Sequence, residues 1–248
     1  MRGDGELIAG WHAVIAALRA PASSVREIWL RRGREDRRSE ELLQLARERS
    51  VPVRSVDVSA LDERAEGISH QGVLAHVTGG GVLDENDLGR LLDGLDHPPF
   101  LLVLDGVQDP HNLGACLRTA DAAGVDAVIA PRDRAVSLTP AVRKTAAGAA
   151  EMLPFVQVTN LARCLRELQA RGIWVIGTAG EAEQSLYQAD LKGPLALVLG
   201  AEEKGLRRLT RENCDLLVRI PMQGMVESLN VSVAAAVCLY EAVRQRSN

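Results

Sequence analysis

The sequence predicts an α/β protein with two domains, a small N-terminal one and a larger C-terminal one built on a parallel sheet. Three observations lead to this prediction. The chain has 248 residues, enough for one large or two modest domains. A run of three glycines at 79–81 interrupts its pattern, as flexible linkers do. Beyond that run, short apolar segments without polar alternation are separated by helical patterns, which is typical of parallel strands covered on both faces.

The N-terminal domain, residues 1–77, is predicted to alternate helices and strands. Its predicted elements are a helix, a strand, an amphipathic helix and two further strands, over residues 8–20, 25–30, 39–48, 51–56 and 73–77. Between the first strand and the amphipathic helix lies the densest basic cluster of the chain, residues 31–38. This cluster is either a solvated loop, partly neutralised by Glu35 and Asp36, or a patch that contacts phosphates. The sequence alone leaves both interpretations open.

Residues 78–98 are predicted to link the domains, and residues 99–248 to form the second one. Five apolar runs predict its strands, at 100–105, 126–130, 173–177, 195–200 and 216–220. Helical patterns lie between them, at 113–123, 140–147, 161–171 and 205–211. The pattern predicts an open, doubly wound α/β sheet, in which ligands gather at the carboxyl ends of the strands.

The last predicted strand leads into a loop and a C-terminal helix that runs to about Arg244. Pro221 should end the strand because it has no N–H, and Gly224 lets the loop turn sharply or approach a ligand. Ser228 and Asn230 are both candidates for the N-cap. Apolar residues around the whole circumference predict a buried helix: Leu229, Val231, Val233, Val237 and Leu239. The stretch is either a ligand site at a helix start or an ordinary turn with a capping serine.

Composition argues against several classes of protein. Aromatic residues make up only 3%, so base-stacking platforms are not expected. The formal net charge of -4 argues against a generic polyanion binder. No apolar run reaches transmembrane length, and the N-terminal residues have no signal-peptide pattern. The four cysteines lie far apart, so we expect buried free thiols, a reducing cytoplasmic compartment and no structural metal.

Glycine and polar residues follow four of the predicted strands, within residues 105–114, 178–181, 200–205 and 221–230. A merely structural sheet has no need of them. The chain has neither of the glycine-rich motifs that bind dinucleotides or nucleoside triphosphates. Its five histidines lack zinc-ligand spacing, and Ser228 has no G-x-S-x-G elbow around it. The residues alone therefore predict an α/β enzyme that binds a small polar ligand without a metal.

Three segments at these strand ends resemble the motifs of a known family. They are D-P-H-N-L-G-A-C-L-R at 109–118, G-A-E-x-x-G at 200–205 and I-P-M-x-G-x-x-x-S-L-N-V-S-V-A at 220–234. They resemble the three motifs of the SpoU family, RNA ribose 2'-O-methyltransferases that use S-adenosylmethionine. The resemblance implies a SPOUT-type catalytic domain, in which the C-terminal part of the sheet passes through a trefoil knot. It also implies a homodimer, because in the family the knotted loops hold the cofactor and pack against a second subunit.

The N-terminal part resembles one branch of that family. Residues 33–36 and 69–72 resemble the substrate domain, similar to ribosomal protein L30, of the branch that methylates a guanosine in bacterial 23S rRNA. The implied target is therefore a guanosine in the peptidyl-transferase region. The net acidity of the chain fits an rRNA substrate only if local clusters bind it, and we expect Arg31, Arg32 and Arg34 of the basic cluster to do so. A dimer would present two such clusters.

The resemblance also implies the site residues. The positions that match the family's active site are Asn112, Arg118, Glu202, Ser228 and Asn230. Those that match its cofactor site are Thr178, Ala179, Gly180, Gly200, Ile220, Met222 and Leu229. Single residues have simpler interpretations as well: Asn112 or Ser228 could cap a helix, and Glu202 could pair with Lys204 or Arg207.

Two other functions stay open at this point. The chain could methylate a different rRNA nucleotide, such as an adenosine, or a tRNA nucleotide, because base choice is not evident from the residues. It could also be a catalytically silent RNA-binding assembly factor. Asn112, Arg118 and Glu202 argue against the silent factor, since a protein that only binds RNA does not need them.

Overall fold

The computed structural model describes residues 6–19, 24–33, 36–65, 67–78, 82–201 and 205–247. It confirms the predicted α/β class, with one small sheet near the N-terminus and one large parallel sheet after it. Helix α1 (Trp11–Arg19) packs against helix α7 (Ala149–Met152) and so joins the two units. No helix of the described ranges is long and apolar enough to span a membrane.

The first unit is a four-stranded sheet with the order β1-β4-β2-β3. Besides α1, its elements are β1 (Glu6–Ala9), β2 (Ser24–Arg31), α2 (Arg37–Glu48), β3 (Val53–Val56), α3 (Val58–Ala65) and β4 (Val73–Thr78). Helix α2 begins at a capping box, in which Asp36 accepts from the Ser39 N–H at 2.9 Å and Ser39 Oγ accepts from the Asp36 N–H at 2.9 Å. Apolar side chains of α1, α2 and the strands form its core, Trp11 and Leu42 among them.

Two details of this unit differ from the prediction. The helix predicted over 8–20 begins at Trp11, because Ile8 and Ala9 pair with Ala75 and Leu74 as a strand. Strand β1 and helix α3 were not predicted at all, since each is short and its apolar pattern merges with that of its neighbours.

The segment predicted as a linker packs partly on the second unit. Leu83 pairs with Val156, and its N–H donates to the Phe155 carbonyl at 2.9 Å. Helix α4 (Glu85–Asp93) follows, and its Leu88 is buried in the core of the second unit. The residues from about 83 therefore belong structurally to the larger unit.

The second unit is a seven-stranded parallel sheet with the order β7-β6-β5-β10-β8-β11-β9. Its strands are β5 (Phe100–Asp105), β6 (Ala127–Pro131), β7 (Phe155–Val158), β8 (Trp174–Thr178), β9 (Gln184–Ser185), β10 (Leu195–Gly200) and β11 (Leu216–Arg219). Besides α4 and α7, its helices are α5 (Pro110–Ala122), α6 (Pro140–Ala146), α8 (Leu161–Ala170), α9 (Arg208–Glu212) and α10 (Val231–Arg246). All five predicted strands and the predicted helices are confirmed with small shifts at their ends, while β7 and β9 were missed.

Both faces of this sheet are buried, which explains the absence of polar alternation. Leu102 and Leu104 pack towards α5, α6 and α10, whereas Leu101 and Val103 pack towards α4 and α8. Strand β10 lies between β5 and β8, although β8 precedes it in the chain. The carboxyl ends of β5, β10, β8 and β11 therefore meet at one edge of the sheet.

Helix α10 returns from that edge and packs against α5 and β10. Its inner side is buried, with Ala235, Cys238 and Leu239 in the core. The prediction that α10 is buried all round is wrong for this chain, because Val233 is 48% and Tyr240 50% exposed. The outer face of the helix has no cover from the described residues.

The cysteines agree with the prediction of free thiols. Cys116, Cys164 and Cys238 are buried, Cys214 is half-buried, and none forms a disulfide. Burial raises the pKa of the Cys238 thiol to about 12. The Cys238 thiol therefore stays protonated at neutral pH.

Candidate active site

A cleft of about 320 Å³ opens at the carboxyl ends of β8, β10 and β11. All seven residues that the resemblance assigns to the cofactor line it: Thr178, Ala179, Gly180, Gly200, Ile220, Met222 and Leu229. Ser228 lines the same cleft. The fold thus brings together residues up to 51 positions apart in the sequence. Their role in binding stays a prediction, and we call this space the cofactor cleft.

Main chain forms one wall of the cofactor cleft. Gly200 lies so close to the next turn that a Cβ there would be 2.0 Å from the Gly205 carbonyl carbon. The turn is closed by a hydrogen bond of 2.8 Å from the Gly205 N–H to the Ala201 carbonyl. Ile220, Leu229 and Ala234 add apolar side chains to the lining. A lining that combines closely approaching main chain with apolar side chains suits a ligand with a flat heterocycle and polar edges, as S-adenosylmethionine has.

An ion pair lies at the rim of this cleft and was not predicted. Arg211 of α9 donates to the Glu181 carboxylate, and both residues line the cleft. Hydrogen bonds from its own backbone N–H and from Arg211 lower the pKa of the Glu181 carboxyl. The carboxylate is therefore charged at neutral pH and can accept from a hydroxyl or ammonium group of a ligand.

Two helix starts meet beside the cofactor cleft. Asn230 Nδ2 donates to Asn112 Oδ1 at 3.0 Å, which joins the start of α10 to the start of α5. Asp109 caps α5, because its Oδ1 accepts from the His111 N–H at 2.6 Å. Asn230 caps α10, because its Oδ1 accepts from the Ser232 N–H at 2.9 Å. The simpler interpretations of Asn112 and Ser228 as helix caps are therefore wrong.

A second cleft, of about 470 Å³, adjoins the first. The two share Ala201, Gly205 and Val231 as a common wall. Asn112 lines the second cleft, as do three residues that the sequence reasoning missed, Asp105, Arg134 and Arg207. We call it the acceptor cleft, because a group bound there would lie next to a ligand of the cofactor cleft.

Arg118 is not brought together with the other candidates. It is exposed on α5 and lines neither cleft of its own chain. It lies six positions after Asn112, which in a helix means roughly 9 Å along the axis and a different side. Two further candidates, Glu202 and Arg34, lie outside the described residues.

The candidate RNA-binding residues lie on the first unit. Arg31 and Arg32 are exposed at the end of β2, and Arg32 is 3.5 Å from the Asp57 carboxylate. Arg31 lines a polar cleft together with Arg38 and His70. Arg31 and Arg32 line neither of the two clefts of the second unit, so a ligand that contacts them and a cleft must reach across both units.

No group of three or more metal-ligating side chains occurs within the described ranges. The absence of a structural metal remains a prediction.

The comparisons with known proteins agree with this geometry. The profile of the SpoU rRNA Methylase family matches residues 99–240, and the profile for RNA 2'-O ribose methyltransferase substrate binding matches residues 7–79. The 23S rRNA (guanosine-2'-O-)-methyltransferases RlmB of Pseudomonas putida and Escherichia coli are 59% and 54% identical to the chain. The alignments cover 97% of the chain and 97% of the first relative, and 98% of the chain and 99% of the second.

A solved structure has the same arrangement along the whole chain. The SpoU methyltransferase AviRb from Streptomyces viridochromogenes, in complex with AdoMet, superposes with a TM-score of 0.82 at 28% identity. The match covers 100% of this chain and 92% of that one. With the profile match to more than half of the chain and relatives above 50% identity, the chain belongs to the SpoU rRNA methylase family.

Proposed function

We propose that the protein methylates the ribose 2'-hydroxyl of a guanosine in 23S rRNA, with S-adenosylmethionine as the methyl donor. The observation that carries this proposal is the pair of adjoining clefts with a shared wall, one lined by the cofactor residues and one by Asn112. Two relatives that align with the chain almost end to end are named for this reaction. The RNA is the proposed partner, and the target base follows from those relatives.

The residues of the cofactor cleft fit the donor. Gly200 and Gly205 bring main chain to the ligand, while Thr178 and Met222 line the pocket beside it. When bound there, S-adenosylmethionine supplies an electrophilic methyl group on a sulfonium, so that the chemistry requires no metal. The protein must then align a 2'-hydroxyl with that methyl group and exclude competing water.

Residues where the two clefts adjoin align the 2'-hydroxyl with the methyl group in this proposal. A 2'-hydroxyl is a poor nucleophile at neutral pH, so its orientation and the fate of its proton limit the rate. Asn112 and Asn230, held together by their hydrogen bond, fix the two helix starts beside the acceptor cleft. Ser228 borders the cofactor cleft, and Glu202 belongs by sequence to the motif at 200–205. We assign them to orientation of the hydroxyl and acceptance of its proton.

We also propose the finer features of the fold that the resemblance implies. The insertion of β10 between β5 and β8, and the return of the chain through 220–230 to bury α10 against α5, support a trefoil knot. The mixed four-stranded sheet with helices, matched by a substrate-binding profile, supports an L30-like first domain.

A homodimer is the proposed assembly. Val233 and Tyr240 lie two turns apart on the outer face of α10, and both are about half exposed. Met225, in the loop beside the cofactor cleft, is 101% exposed. A face of this kind on a helix that carries site residues is typical of an interface, and a second copy would cover it. A cytoplasmic location follows from the proposed substrate, because bacterial rRNA is cytoplasmic.

The two units divide the work in this proposal, with residues 1–77 selecting RNA and 99–248 holding the cofactor and the second copy. A fragment of residues 82–248 is expected to dimerise and to bind S-adenosylmethionine normally but to leave rRNA unmodified. It should begin at Val82, not Pro98, because Leu83 pairs with Val156 and Leu88 is buried. Sedimentation, calorimetric titration and methyl transfer check the three properties. Full rRNA activity of the fragment would contradict the division.

Incubation with tritiated S-adenosylmethionine and unmodified large-subunit rRNA tests the reaction itself. We expect one methyl group per rRNA, located at a guanosine 2'-oxygen by mapping of the modified nucleotide. If the enzyme methylated only an adenosine, or only tRNA, the proposed substrate would be wrong. Binding of RNA without transfer would leave the silent assembly factor as the explanation.

A further inference from the structure

One arginine of the acceptor cleft, Arg207, is anchored through its backbone and lies beside a buried carboxylate. The Arg207 backbone N–H donates to Asp105 Oδ2 at 2.8 Å, and Arg207 Nε lies 3.4 Å from Asp105 Oδ1. Its Nη2 lies 3.5 Å from the Asp133 carbonyl oxygen. Asp105 ends β5 and is buried. These contacts restrict the Arg207 side chain before a ligand binds, which lowers the conformational entropy lost on binding.

The backbone beneath the guanidinium is shaped to receive it. At Gly106 a Cβ would lie 2.9 Å from Arg207 Nη2, and the φ of Gly106 is +86°. A side chain at this position would both strain the backbone and displace the guanidinium. The Arg207 side chain is nevertheless 41% exposed. The guanidinium therefore packs on the main chain at Gly106, and its exposed edge faces the acceptor cleft.

The charge of this arginine is already offset. The Asp105 carboxylate lies within ion-pair distance, so the wall offers directed N–H donors with little net charge. A phosphate binds more strongly to a cation that has no carboxylate partner. Arg118 fits that description, because it is exposed and forms no ion pair with any described residue. The edge of a base, by contrast, is recognised by the direction of donors and acceptors.

We propose that Arg207 recognises the target guanine by donating two hydrogen bonds to its O6 and N7, with Asp105 as the positioning residue. This inference rests on the proposed function. Guanine presents two adjacent acceptors on that edge, and a bidentate arginine is its commonest specific contact. Adenine carries an amino group in place of O6, so an N–H donor of the base would face an N–H donor of the Arg207 guanidinium. RNA bases present such edges when they are unstacked in loops, and a nucleotide that enters the acceptor cleft must be unstacked.

The test uses a 23S rRNA fragment that the wild-type enzyme methylates, with the target nucleotide varied. Guanosine and inosine both carry O6 and N7, 7-deazaguanosine lacks N7, and adenosine lacks O6. The wild type should accept inosine like guanosine, lose about tenfold in kcat/KM with 7-deazaguanosine, and lose on the order of 100-fold with adenosine. Arg207→Met should lose about 10- to 100-fold on guanosine and treat guanosine and 7-deazaguanosine alike.

Three further variants separate this role from others. Arg208→Met is the matched control, because Arg208 is the next residue, its side chain is 76% exposed, and among the described residues it pairs with Glu212 on α9 alone. It should keep the wild-type preference. Asp105→Asn should weaken the discrimination between guanosine and 7-deazaguanosine without abolishing it. Arg207→Lys keeps the positive charge but not the two parallel N–H donors of the guanidinium. It should therefore no longer discriminate between guanosine and 7-deazaguanosine. Thermal unfolding and S-adenosylmethionine affinity are measured for each variant.

The outcomes are distinct. If Arg207→Met or Arg207→Lys kept the wild-type preference for guanosine over 7-deazaguanosine, with equal losses on both RNAs, Arg207 would contact a phosphate or serve the fold, and the inference would be overturned. If the wild type failed to methylate the guanosine fragment, the proposed function would fall and this inference with it. Loss of discrimination with unchanged cofactor affinity would support it.

Discussion

Gly200→Ala is expected to weaken S-adenosylmethionine binding by on the order of 100-fold. A Cβ at this position would lie 2.0 Å from the Gly205 carbonyl carbon and 2.3 Å from the Leu206 nitrogen. Neither is the flexible end of a side chain, so the turn after β10 must move. Overpacking typically costs about 1–3 kcal/mol, and contact with main chain belongs at the upper end of that range, which is about two powers of ten in affinity.

The damage should stay local to the second unit. Gly200 pairs in register with Asp105, so displacement of the turn also disturbs the contact of Asp105 with Arg207. Gly193→Ala is the matched control, because a Cβ there meets nothing within 4 Å and the residue precedes β10 at the opposite edge of the sheet. Calorimetric titration and thermal unfolding check both variants. Normal cofactor affinity in Gly200→Ala would mean that the turn adapts and that the close approach is not required for binding.

The regular parts of the fold were predictable because burial on both faces leaves a strong signal. Strand β5 is buried at all of its residues, and its apolar run is continuous in the sequence. Strand β7 was not predicted because it has only four residues and the polar Gln157 interrupts its apolar run. The position of β10 between β5 and β8 could not be predicted, since strand order depends on how the whole sheet packs and not on any local pattern.

The site was predictable only through the family resemblance, and most of the predicted residues belong to its motifs. The cofactor residues came from the resemblance, and the fold gathers them into one cleft. Asp105 and Arg207 form one contact across 102 positions, and neither belongs to the motif segments. A motif residue can also serve packing alone. A Cβ at Gly114 would lie 2.6 Å from Thr145 Cβ, so this glycine permits the close crossing of α5 and α6.

Arg118→Lys is expected to lose about 100-fold in turnover while S-adenosylmethionine affinity stays near normal. The guanidinium is permanently protonated, so Arg118 cannot act as a simple general base. We expect it to bind an RNA phosphate or the developing alkoxide through two directed hydrogen bonds, a geometry that lysine cannot copy. Stabilisation of developing charge is commonly worth roughly 3 kcal/mol, or about 100-fold in rate. Near-wild-type turnover at saturating RNA would make Arg118 structural and direct attention to Glu202.

Mixed dimers can show which cleft Arg118 serves. Because it lines neither cleft of its own chain, we expect it to act at the cleft of a second copy. Gly200→Ala chains keep Arg118 but lose the cofactor cleft, and Arg118→Lys chains keep the cleft but lose the guanidinium. In an equal mixture, half of the dimers combine both chains and have one intact composite site, so roughly a quarter of wild-type activity should return. Activity no higher than the sum of the separate variants, in a mixture shown to contain mixed dimers, would place the action of Arg118 within its own chain, where only RNA bound across α5 could reach it.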